Sequence, residues 1–93
     1  MKKEHWYDKY KKLSLYGGVL TAICDDDEDM LVIEYDNGML IDVGYVADKK
    51  CYFITVVAEN TAECWNNPVE CISVTDKECL FDTIQSVIFR NRK

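Results

Sequence analysis

The chain has 93 residues, 48% apolar and 30% charged, with eleven aromatics and a net charge of −6. That length supports one domain (residues 1–93) around a single modest core, and the apolar and aromatic content excludes a disordered chain. No apolar run approaches the roughly eighteen residues of a membrane span, and a chain this acidic is poorly suited to gripping nucleic-acid phosphates directly.

The charge is segregated. Residues 1–13 carry five lysines against Glu4 and Asp8, and residues 87–93 add Arg90, Arg92 and Lys93, so each end holds +3. Between them, residues 14–86 hold fifteen acids against Lys49, Lys50 and Lys77, a balance of −12. The partner that such a field favours is a basic macromolecule.

From the N-terminus, MKKEHWYDKYKK begins with the lysines of a signal peptide but has no apolar segment behind them, which predicts an intracellular, cytoplasmic protein. Trp6, Tyr10 and Leu13 recur at helical spacing, so Lys2 to about Lys12 reads as a helix, ended by Gly17-Gly18. Val19 to Cys24 reads as a strand. Asp25, Asp26, Asp27, Glu28 and Asp29 follow, five acids that repel one another and belong in an exposed turn. The run is either a solubilising loop or a recognition patch for a cationic surface. It lacks the spaced acids and distal Glu of a calcium loop.

Met30 to Glu59 is the organising stretch, three strands in succession. Asp36-Asn37-Gly38 between two apolar runs signals a hairpin. A two-residue loop would mix acids and apolar side chains on both faces. A three-residue loop with Gly38 in the left-handed conformation pairs Tyr35 with Met39, Ile33 with Ile41 and Leu31 with Val43. Six apolar residues then share one face, leaving Val32, Glu34, Leu40 and Asp42 on the other. Register follows the face that must be buried, so the three-residue loop is the prediction. Cys51 to Ala58 is apolar on both sides and reads as the central strand. Asn60 to Pro68 reads as a loop, in which Trp65 either plugs one end of the core or stands partly exposed as an interface anchor. Val69 to Val74 alternates as a fifth strand. Thr75-Asp76-Lys77-Glu78 has the form of a capping box opening a final helix, whose apolar stripe is Leu80, Phe81, Ile84, Val87 and Ile88.

The fold class expected is therefore α+β, in the order α-β-β-β-β-β-α, with a mainly antiparallel five-stranded sheet and the N- and C-terminal helices on one face. Five cysteines without a C-x-x-C pair read as reduced, buried or half-buried thiols, and the lone His5 offers no partner for a zinc site. No nucleophile elbow, phosphate loop, dinucleotide fingerprint or zinc-protease motif occurs. The acids beside Cys24 and Cys64 disfavour a thiolate nucleophile. The expectation is a protein without catalytic residues, cofactor or metal.

Ile41-Asp42-Val43-Gly44-Tyr45, then an apolar strand, then Trp65-Asn66-Asn67-Pro68 and a capped C-terminal helix together resemble the small bacterial immunity proteins of contact-dependent growth inhibition and related polymorphic toxin systems. The resemblance spans residues 38–90, with Gly44, Trp65 and Pro68 as its shared positions. It implies a cytoplasmic protein that binds and blocks a cognate toxin domain, often a nuclease; the half-polar sheet face, wet or paired with a second copy, leaves a monomer or a weak homodimer. From the residues themselves, the partner-binding candidates are Asp25, Asp26, Asp27, Glu28 and Asp29, then Asp42, Glu59, Glu63 and Trp65. Two other readings stand beside it: a nucleic-acid-mimicking inhibitor of the anti-CRISPR or anti-restriction kind, which shares the acidity, and a small non-catalytic interaction module working through a sheet edge or the basic helix ends.

Overall fold

A computed structural model describes residues 10–23 and 31–91. Five strands, β1 (Val19–Ile23), β2 (Leu31–Glu34), β3 (Leu40–Val46), β4 (Cys51–Val57) and β5 (Glu70–Val74), form one antiparallel sheet in sequential order. A short helix α1 (Ala62–Asn66) lies between β4 and β5, and α2 (Lys77–Asn91) closes the chain. The α+β class stands. Of the N-terminal helix expected over residues 2–12, only Tyr10–Lys12 lies within the described residues, as a single 3₁₀ turn.

The β2–β3 turn takes the three-residue form. Gly38 sits at φ +95°, the left-handed region that glycine enters without steric penalty. Tyr35 N–H donates to the Met39 carbonyl at 2.9 Å, Gly38 N–H donates to Tyr35 C=O at 3.0 Å, and Asn37 Oδ1 accepts from Met39 N–H at 3.0 Å. Leu31 accordingly pairs with Val43, Ile33 with Ile41 and Glu34 with Leu40. This register turns Leu31, Ile33, Met39, Ile41 and Val43 into one core with Ile54, Val56 and Val74. β4 lies inside the sheet between β3 and β5, as its two apolar faces imply, and β3 is the middle strand of the five. Leu40 and Val57, cross-strand partners on the opposite face, are both buried.

The lid of the core is α2. Leu80, Ile84, Val87 and Ile88 have no exposed surface, and Phe81 packs against the same cluster, as the stripe predicts. The cap differs by one residue. Asp76, not Thr75, supplies the side-chain acceptor, its Oδ1 receiving Glu78 N–H at 2.9 Å, and the helix begins at Lys77. Both residue types cap well, and the position whose oxygen reaches the second helical N–H takes the role. The segment Asn60–Pro68, expected as loop, contains α1. Thr61 caps it, with Oγ1 accepting from Cys64 N–H at 3.2 Å.

The chain before β1 is tied down by three features. Tyr10 and Leu13 are buried in the core, Tyr10 stacking at 5.8 Å on Phe81. The Gln85 side chain clasps the Ser14 backbone, Oε1 accepting from N–H at 2.9 Å and Nε2 donating to C=O at 3.0 Å. Tyr35 Oη donates to the Leu15 carbonyl at 2.8 Å, which holds its ring over Gly18. A Cβ at Gly18 would lie 2.6 Å from that ring and 2.8 Å from Ile33 Cγ2.

Two outcomes follow. Gly18→Ala should destabilise the fold by about 1–3 kcal/mol in urea denaturation, since the hydroxyl tether prevents Tyr35 from yielding; an unchanged midpoint would mean the approach is looser than described. Burial, with a smaller push from Tyr52, raises the Tyr10 phenol from 10.0 to about 12. A raised folded-state pKa gives stability that is complete below pH 10 and lost as pH climbs through about 12. Thermal melts from pH 9 to 12 should therefore fall more gently for Tyr10→Phe than for wild type.

Candidate functional site

Nine residues carry the sequence-derived site, and the structure divides them. Asp25, Asp26, Asp27, Glu28 and Asp29 lie outside the described residues, as do Cys24, His5 and Arg92. Asp42 is half-buried in β3 between Val32 and Thr55, on the face away from α2. Glu59, Glu63 and Trp65 come together at one end of the sheet, where β4 runs into α1.

That end is built by local chemistry. Thr61 stops the extended chain and starts a helical turn, and Asn67 N–H ends it on the carbonyls of Glu63 and Cys64. Val69 N–H then returns to Val56 C=O at 2.7 Å, so the excursion leaves and rejoins the sheet within about one turn of helix. The Trp65 indole N–H donates to Asn60 Oδ1 at 2.8 Å, orienting a ring that remains 38% exposed. Trp65 is not among the side chains packed on the core cluster, so it is part-exposed and does not plug the core end.

Beside α1 is an open cleft of about 680 Å³. Its apolar surface comes from Met39, Ala58 and Val69, the last 59% exposed, and the half-buried Cys64 forms part of the wall. Glu59 and Asn37 line it from the sheet side, and Arg90 and Asn91 from the end of α2. Sequence reading found Glu59 but missed the other lining positions. They come from five separate stretches, and no spacing in the chain announces that they meet.

The charges here are not equivalent. Arg90 is ion-paired with Glu70, and Asn91 Nδ2 donates both to Glu70 Oε1 at 3.0 Å and to Val87 C=O at 2.8 Å. Partial burial alone would raise the Glu70 carboxyl, but the hydrogen bonds from Asn91 and Arg90 and the guanidinium charge outweigh it and hold the group below its ordinary value. Glu59 and Glu63 are exposed, as is Asp36 in the adjoining turn, and none has an ion pair among the described residues. The cation of the cleft is thus satisfied internally, while the surrounding carboxylates face solvent.

The thiols are free at Cys51, Cys64, Cys71 and Cys79. Cys71, expected to be covered within its strand, is exposed, because β5 is an edge strand and Cys71 falls on the face opposite α2. Cys79 is raised above the ordinary thiol value chiefly by the Asp76 carboxylate, with further pushes from burial, the hydrogen bond to Asp76, and Asp82 and Glu78. Among the described residues no three His, Cys, Asp or Glu side chains gather as a metal site, and no helix is long and apolar enough to cross a membrane. Comparison with protein-family models, curated proteins and solved structures gives no match.

Removing the dominant charge should activate Cys79. In Asp76→Asn, which keeps a good capping side chain, alkylation of Cys79 by iodoacetamide at pH 8 should quicken severalfold with helicity unchanged. Peptide-resolved mass spectrometry reads this directly, and an unchanged rate would remove Asp76 as the cause.

Proposed function

We propose that this protein is an immunity protein, a non-catalytic inhibitor that acts in the cytoplasm by binding a basic, nuclease-type toxin domain and occluding its active or substrate-binding site. The observation that carries this reading is the grouping at one sheet end. Glu59 and Glu63 stand exposed in the segment that carries the oriented, part-exposed indole of Trp65, Asp36 is exposed in the turn whose Gly38 approaches Glu59, and Arg90 is already held by Glu70. An aromatic with a fixed ring gives contact area at low entropic cost, and surrounding like charges give orientation and fast encounter. The balance of −12 over residues 14–86, which includes Asp25–Asp29, acts in the same sense. Occlusion asks for no nucleophile, metal or cofactor from the inhibitor. It asks for a stable scaffold and a complementary surface.

The test is association of the purified chain with the toxin domain encoded by the adjacent gene, measured by stopped flow at low and at physiological salt. Wild type should associate quickly and salt-sensitively. Reversing charge at Asp25, Asp26 and Asp27 should slow the low-salt rate by about tenfold or more, the range that electrostatic steering supplies. A change below about twofold would take that run out of the interface, and no association at all would dismiss the immunity reading.

A further inference from the structure

We propose that the cleft between the β2–β3 turn, α1 and the C-terminal end of α2 receives an arginine or lysine side chain presented by a protein partner. The inference rests on the reading above for the partner's class, and it assigns a receptor site and a ligand chemistry that the reading does not.

Three properties of the cleft select this occupant. Its volume of about 680 Å³ accommodates a long side chain together with the backbone on either side of it. Its apolar surface, Met39, Ala58 and Val69, matches the methylene stem that arginine and lysine lay along hydrophobic surface while the charged head stays at a polar edge. Its charge complements a cation. Glu59 lines the cleft without an ion pair among the described residues, and Asp36 and Glu63, each one residue before a lining position (Asn37 and Cys64), are exposed.

The alternative of an anionic ligand fails on the state of Arg90. Its guanidinium charge is neutralised by Glu70, which is held in turn by Asn91, so with Glu59 the cleft is left with a surplus negative charge that disfavours an anion. Glu59 is the lining group left to neutralise a charge brought from outside.

The probe is N-acetyl-arginine N-methylamide, titrated into ¹⁵N-labelled full-length protein, with the norleucine analogue as a stem without charge. Saturable amide shifts are expected at Asn37, Ala58, Glu59 and Cys64, and much smaller ones with norleucine. Glu59→Gln should weaken binding by about threefold, the scale of an exposed ion pair. Ala58→Phe, which fills the cleft and keeps every charge, should abolish the shifts. Shifts confined to residues 25–29, or unaltered by both substitutions, would overturn the proposal, because acidity alone would then account for binding. The two readings separate on the toxin domain. If the cleft takes the arginine probe but the toxin domain does not bind wild type, the immunity reading fails and the cleft stands. If the toxin domain binds wild type and both variants equally, the cleft proposal fails and the immunity reading stands.

Discussion

Everything in this molecule follows from how the β2–β3 turn sets strand register. Side chains alternate across a strand with a period of two, so a slip of one residue would exchange the buried and exposed sets completely. Gly38, at φ +95°, admits a three-residue loop, and that loop brings Leu31, Ile33, Met39, Ile41 and Val43 to the same side. β4 pairs with β3 along its whole length and inherits the alternation, and β5 takes it from β4. The single apolar face then gives α2 something to cover, and a helix of fifteen residues gains from packing the stability it would lack alone.

The position of α2 is in turn constrained at its middle and at its C-terminal end. Near its middle, Gln85 holds the Ser14 backbone by two hydrogen bonds, and Tyr35 holds Leu15 from the sheet. At its C-terminal end, Arg90 and Asn91 converge on Glu70 at the start of β5. A positive side chain there also suits the negative end of the helix dipole. These ties place the helix terminus close to α1 and the hairpin turn, and the cleft is the space the three leave between them. Its geometry is a consequence of core packing more than of any local motif.

The electrostatic division has the same origin. Burial of a charge is expensive unless it is paired, and among the described residues no charged side chain is buried in the core. Glu70, only partly covered, is paired and hydrogen-bonded, while Glu34, Glu59 and Glu63 are left to solvent. A negative field directed outward from a rigid scaffold is what the proposed inhibition requires, and Trp65 adds a point of contact whose orientation is already set by Asn60.

Much of the fold was legible in the chain. Periodicity distinguished strand from helix, and burial of the six-residue apolar face decided the hairpin register. The stripe from Leu80 to Ile88 located the closing helix, because these signals are local and repeat. The failures have physical reasons as well. Five residues of helix at Ala62–Asn66 are too few for a period to show. Thr75 and Asp76 are both competent caps, and only backbone geometry chose between them. Strand order was decided in three dimensions, since β3 and β4 carry similar apolar runs, both have a neighbour on each side, and nothing in composition says which is the middle one. The site divides in the same way. Sequence determined which residues are charged and aromatic, and so the sign of the surface. Tertiary structure alone decided that Arg90 would be neutralised by a residue twenty positions away. It alone brought Met39, Ala58, Glu59 and Val69 around one cleft, because contacts between distant segments depend on how the buried faces close on each other.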